Sequence, residues 1–148
     1  IALSYIASVG FDNSILVGAI VSNYAMMAIC LAFLLKAKNA ENRAYASSAL
    51  VTLVIGGVSE PTLFGIILRY KRIIPCMMAG GFVGGIYAGI MKVAVYFAGS
   101  GNVLSCLGFA GEYAPSLLHG IIASAIAFVV TLVLSMVVGF EKNEKKTK

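Results

Sequence analysis

Charged side chains are scarce in this sequence: eleven basic and six acidic residues stand among 148. That scarcity excludes an ordinary soluble domain, in which about a quarter of the residues are charged. Histidine occurs once, and Cys30, Cys76 and Cys106 follow no metal-ligand spacing, so neither a metal cluster nor any other cofactor is expected. The cysteines read as small buried hydrophobes. A signal peptide would show a basic leader and a small-residue cleavage site, and none is expected in these residues. The opening "IALSYIASVGF" starts inside an apolar stretch without an initiating Met, and we expect a piece of a longer protein. The net charge of +5 lies between apolar runs, as membrane-flanking charge does, and is no signal for nucleic acid.

What is present is apolar. Hydrophobic residues make up 60% of the chain, and the mean hydropathy is +0.96. The charge-free runs 15–35, 73–91 and 120–140 each match the ~20 residues that a helix needs to cross a bilayer. A core helix of a soluble protein seldom stays apolar all round for so long. The expected fold class is all-α and integral to the membrane.

Three basic clusters punctuate the chain: "KAKNAENR" at 36–43, "RYKR" at 69–72 and the tail "EKNEKKTK" at 141–148. Cationic residues favour the cytoplasmic side, so each stretch between two clusters should cross an even number of times. The stretch 44–68 is too short for two crossings of about 20 residues each, and one crossing would put "RYKR" outside. A re-entrant hairpin, which enters and returns to the same face, meets both conditions. Its turn needs backbone that is not helical, and "GGVSEP" supplies it. Gly56 and Gly57 permit unusual torsions, and Pro61 disfavours the α region at Glu60. After Arg72, one run leads out and 117–140 returns, leaving 92–115 on the outer side. Its glycines, Ser100, Asn102 and Glu112 fit an extracellular loop with a short, partly inserted helix.

Glu60 has no charged neighbour for many residues on either side. An ionisable residue at membrane depth is costly and marks a pathway or a binding site. Irregular backbone there survives only where protein covers it or water reaches it. Glu60 is therefore expected at a hairpin tip facing a polar cavity. It could accept hydrogen bonds from the hydroxyls of a neutral solute, hold a cation or relay protons. A plain structural role, a glutamate satisfied by backbone at a helix break, stands beside these. No second acid lies nearby, which weighs against a cation site with its several oxygen ligands. Ser59, Thr62 and the free backbone groups around Gly57 combine donors with acceptors, a set suited to a polyhydroxylated molecule.

Other residues carry two readings each. His119, in "PSLLHG", is a helix-packing histidine or a ligand of the solute. Asn23, in "VSNYA", sits mid-span and is a contact to solute or hairpin, or glue between helices. Asp12 and Asn13 precede the first span as cap residues or as ligands. The glycines of "GGFVGGIYAG", four apart as Gly80/Gly84, Gly81/Gly85 and Gly85/Gly89, line a helix face that admits a close neighbour or a sliding surface.

The stretch "GGVSEPTLFGIILRYKR" at 56–72 resembles the "G-I-T-E-P" signature, with its following "G-x-x-L-R-x-K-R", of phosphotransferase-system sugar permeases. It is similar in particular to their IIC membrane component, in the glucose superfamily near the β-glucoside, sucrose and trehalose permeases. "GFDNSIL", the basic "KAKN" turn and "GGFVGGIYAG" add to the likeness, which runs from about Ser8 to Phe140. Val58 and Ser59 stand where the family usually has Ile and Thr.

The resemblance implies a fold and a role. Residues 1–140 would be the C-terminal portion of a IIC transport domain, and 141–148 a basic cytoplasmic tail. Such permeases are homodimers of the bacterial cytoplasmic membrane, so lipid and a second copy, joined through an N-terminal half, are expected neighbours. Their transport half carries two re-entrant hairpins and is thought to move like an elevator. The motif glutamate, here Glu60, would bind the sugar, with Ser59, Thr62 and Gly57 completing the wall and Asn23 and His119 as further candidates. A IIB domain, charged through IIA, would phosphorylate the sugar from a phosphocysteine, a residue with which Cys76 should not be confused. Glu60 would also ease loss of the hydroxyl proton in that step, a membrane subunit's share in a phosphotransferase. A histidine near the first hairpin would lie before Ile1. The rival readings are an ion- or proton-coupled secondary transporter, which also uses broken helices, and a sensor relaying sugar occupancy to a regulator.

Overall fold

The computed structural model describes residues 8, 10, 15–96, 102–110 and 114–140. Asp12, Asn13, Ser100, Glu112, the tail 141–148 and the side chain of Cys106 lie outside that set. Three long helices carry the fold: α1 (Ile15–Lys36), α4 (Ile74–Ile90) and α5 (Ala114–Val138). Between α1 and α4 stand α2 (Ala40–Val51) and the short α3 (Glu60–Thr62). The apolar spans are Ile15–Lys36, Lys71–Ile90 and Ser116–Val138, each long enough to cross a bilayer. The runs expected at 15–35, 73–91 and 120–140 are right in number and order, although α5 begins at Ala114.

α1 is the central helix, with half of its apolar window buried against 28% for each of the other two spans. α4 runs antiparallel to α5, and glycine lets them meet closely. A Cβ on Gly84 would stand 2.7 Å from Ala127 Cβ, 2.8 Å from Val21 Cγ1 and 2.9 Å from the Ala123 carbonyl oxygen. Gly80 likewise receives the Thr131 side chain. The other expected stripe behaves differently: Gly85 and Gly89 have nothing within 4 Å of such a Cβ. One glycine face packs and the next looks outward.

The first two basic clusters meet the end of α5 at one end of the bundle. Phe33 of α1, Tyr70 of "RYKR" and Phe140 after α5 form an aromatic cluster with centroids 5.0 to 5.9 Å apart. The Lys36 ammonium donates to the Met136 carbonyl near the end of α5, where a basic group also complements the helix dipole. Gly139, at φ +72°, ends that helix. Since Lys36 and Tyr70 share this end, the segment between them enters the bundle and comes back.

That segment is a hairpin of two broken limbs. α2 continues as a π-helix over Thr52–Gly56, and α3 continues as another over Leu63–Ile67. Gly57 makes the reversal in the left-handed region, φ +69° and ψ +12°, which costs a residue with a Cβ roughly 1–2 kcal/mol. The limbs are held by Tyr45, whose hydroxyl donates to the Pro61 carbonyl at 2.9 Å. Its ring lies on the bare backbone of Gly65, where any Cβ would collide with it.

The break falls earlier than the proline suggests. Glu60 is the first residue of α3 rather than part of an extended stretch, and Ser59 before it is already helical at φ −88° and ψ −12°. Pro61 starts the return limb, because its fixed φ and missing N–H suit the first turn of a helix. Glycine does the turning, and proline opens the helix that follows.

Candidate functional site

The hairpin tip presents its polar groups unevenly. Glu60 is exposed, with Ser59 and Gly57 half-buried beside it in chain order. Thr62 is fully buried and faces α1, where its hydroxyl shares a hydrogen bond with Cys30 Sγ at 3.1 Å. It stands two positions after Glu60, a rotation of about 200° that turns one side chain outward and the other inward. The expected group therefore divides: Glu60, Ser59 and Gly57 stay together, and Thr62 ties the return limb to the central helix.

Asn23 is half-buried in α1. It is seven residues before Cys30, two turns along one stripe of the helix, and so about 10 Å further from the basic end. That places it on the α1 face that meets the return limb, beyond the level of Thr62. His119 belongs elsewhere. Its Nδ1 shares a hydrogen bond of 3.2 Å with the Tyr87 hydroxyl, which joins α5 to α4.

One neighbour of the tip was not anticipated as such. The segment expected as an outer loop holds a 3₁₀ helix, Val103–Phe109, that reaches inward. The Tyr24 hydroxyl donates to the Val103 carbonyl at 2.8 Å. Tyr24 is the tenth of the 22 residues of α1, near mid-depth. Asn102 Nδ2 donates to the Ile55 carbonyl of the tip at 3.4 Å. No local signal announces this pairing, which spans 47 residues. The other end of the segment is anchored by Phe109, fully buried over Gly120. A short helix is present in this segment and touches the hairpin.

A cavity of about 480 Å³ opens between Met27 of α1, Leu50 and Val54 of the hairpin, and Ile121 and Phe128 of α5. Its hydroxyls, those of Tyr24 and Ser124, are committed to the Val103 and Gly120 carbonyls. Without convergent free polar groups it is no place for a sugar. Among the described residues no set of three His, Cys, Asp or Glu could hold a metal ion.

Three apolar spans and a hairpin of two broken limbs with an acid at its tip have the build of a membrane carrier domain of the broken-helix kind. The chain is 28% identical over 137 residues to the arbutin-, cellobiose- and salicin-specific EIIBC component of the phosphotransferase system of Escherichia coli, covering 92% of this chain and 28% of that protein. It is 27% identical to the β-glucoside-specific EIIBCA component of Bacillus subtilis, covering 95% and 22%. It is 32% identical to the sucrose-specific EIIBC component of Salmonella typhimurium, covering 82% and 26%. No family model and no solved structure matches. The chain belongs to the enzyme II sugar permeases of the phosphotransferase system, as a part of their membrane-embedded IIC component. It spans about a quarter of the length of the curated relatives it matches. It is a multi-pass segment of the bacterial cytoplasmic membrane.

Proposed function

We propose that this chain forms the part of a sugar permease that holds the sugar from its Glu60 side and offers it for phosphorylation. Glu60 accepts hydrogen bonds from sugar hydroxyls. Ser59 and the backbone around Gly57 add donors and acceptors, and Asn23 borders the same space from α1. Thr62 serves by fixing the limb from which Glu60 projects, and His119 serves by packing. The observation that carries this reading is an exposed carboxylate at the tip of a hairpin whose two ends lie at one basic face. A charge in that position costs several kcal/mol in lipid, and a hydrated polyol site removes the cost.

The partners follow from the same reading. A IIB domain, recharged by IIA, approaches at the basic face and transfers phosphate to the bound sugar. Glu60 takes up the hydroxyl proton as the new phosphorus–oxygen bond forms and the phosphorus–sulfur bond to the IIB phosphocysteine breaks, its thiolate leaving. Lipid covers the outward apolar faces, and a second copy joins through the part of the permease outside this chain. β-Glucosides head the substrate classes, because the Bacillus subtilis relative is named β-glucoside-specific and the Escherichia coli relative is named for arbutin, cellobiose and salicin.

The test is Glu60→Gln in the full-length permease. Loss of the charged acceptor should weaken sugar binding at least tenfold, in the range of about 1.5–3 kcal/mol for a hydrogen bond to a charged group. Affinity within twofold of wild type removes the proposal. Deleting the phosphocarrier proteins separates the transport classes: uptake should collapse, whereas an ion-coupled carrier would keep transporting.

A further inference from the structure

We propose that Phe64 belongs to the same site as Glu60 and stacks its ring on the C–H face of a bound pyranose. This rests on the function proposed above, in which the hairpin tip holds the sugar, and supplies the apolar half of the recognition.

The return limb has three faces, and contacts settle two of them. Thr62, Ile66 and Ile67 are buried, and Thr62 is bonded to Cys30 of α1. Tyr45 of α2 covers the second face, with its hydroxyl on the Pro61 carbonyl and its ring on Gly65. The third face carries Glu60, Phe64 and Leu68, spaced four apart and so about one helical turn from each other. All three are exposed, Phe64 at 66%. Their common exposure agrees with that spacing, although the limb passes into a π-helix at Leu63.

Lipid is excluded as the cover of the Glu60–Phe64 stripe. A carboxylate turned into hydrocarbon is costly, and a stripe that gave Phe64 to lipid would take Glu60 with it. The stripe therefore looks into the hydrated space that the acid requires. A large apolar ring left bare in water is itself unfavourable, and a ligand that covers it removes that cost. Helical side chains lean toward the N-terminus of their helix, so Phe64 leans toward Glu60 rather than toward Leu68. Neighbours at this spacing stand about 5–6 Å apart between Cβ atoms, within the span of one sugar ring.

A pyranose matches such a pair. Its equatorial hydroxyls project from the rim and donate to the carboxylate. The axial C–H bonds of a β-glucopyranoside make both ring faces apolar and slightly positive, and the face of an aromatic ring is negative. A carboxylate by itself takes any hydroxyl, water included. The ring adds a surface that only a solute with an apolar face can use.

The experiment measures binding of methyl β-D-glucopyranoside to the purified full-length permease by calorimetry, with the parent, Phe64→Leu and Phe64→Tyr. Leucine keeps apolar bulk and loses the aromatic face. Phe64→Leu should weaken binding about fivefold or more, and Phe64→Tyr should stay within about twofold of the parent. In Phe64→Trp, indole fluorescence corrected for the parent's should change when the glucoside is added. Binding by Phe64→Leu within about twofold of the parent overturns the stacking, and so does an unchanged fluorescence. Melting temperatures without sugar test for a purely structural role. Phe64→Leu should melt with the parent, whereas a clear fall would place the ring against another part of the permease and overturn the proposal. A parent that does not bind the glucoside overturns the substrate class and the stacking with it. Glu60→Gln in the same assay separates the two readings. Weak binding by Glu60→Gln beside parent-like binding by Phe64→Leu removes the stacking alone. The reverse pattern removes the role of the acid and leaves the ring on the sugar.

Discussion

At the scale of single residues, two adjacent glycines in the hairpin have opposite obligations. Gly57 sits at φ +69°, a conformation that L side chains adopt only at a cost. Gly56 has an ordinary torsion, and a Cβ there would meet only Val58 Cγ2 at 3.8 Å, normal contact. Gly57→Ala should therefore destabilise the full-length permease by about 1–2 kcal/mol. Gly56→Ala should be neutral or stabilising by up to about 1 kcal/mol. Thermal unfolding in detergent measures both. An equal response at the two positions would mean that the reversal lies elsewhere. The sequence pair "GG" marks the turn but does not say which glycine makes it, because the choice depends on how the limbs pack. Thr62 was illegible for a similar reason. Its partner Cys30 is 32 residues away, and only the facing of α1 and the return limb turns the hydroxyl inward.

At the scale of elements, glycine spacing admits more than one interface. Gly80/Gly84 and Gly81/Gly85 share the same four-residue period, so the pattern on α4 cannot tell the packed face from the open one. Tertiary contact decides. At Gly84 a methyl group would press on the Ala123 carbonyl and the Ala127 and Val21 side chains, each under 3.0 Å away, and a backbone cannot yield as a flexible side chain does. Gly84→Ala should cost about 1–3 kcal/mol, the usual price of overpacking. Gly85→Ala, with open space around it, should stay within about 0.5 kcal/mol. A pair of melting curves in the same detergent settles this, and a larger loss at Gly85 would reverse the two faces. The hairpin itself was legible as an element, since charge and length left no other way to join 36–43 to 69–72. Its boundary was not, because Pro61 reads as a break in the chain and acts as a helix start. The inward reach of Asn102 was not legible either. A polar, glycine-bearing stretch between two spans reads as a surface loop unless its distant partners, Tyr24 and Ile55, are known.

At the scale of the whole molecule, the arrangement turns on which membrane face each basic cluster occupies. The aromatic contacts among Phe33, Tyr70 and Phe140 can form only if the ends of α1, the hairpin and α5 lie at one face, since opposite faces are about 30 Å apart. The region 40–70 then folds back on itself, and Glu60 stands partway through the bilayer. Single cysteines at Asn39 and Lys71 of the full-length permease test this, as Asn39→Cys and Lys71→Cys. Both should react with an impermeant thiol reagent only when it is supplied from the cytoplasmic side, and at rates within about a factor of ten, as neighbouring exposed positions should. Lys92→Cys should react from the outside alone, because α4 crosses fully between Lys71 and Ile90. If Lys71→Cys labelled from the outside instead, residues 40–70 would be a crossing. Its aromatic anchor would be broken, Glu60 would face lipid or a different partner, and the polyol site would have no walls. Agreement of all three labels would leave the carboxylate at mid-depth with one physical explanation, a hydrated site entered from one side and emptied to the other.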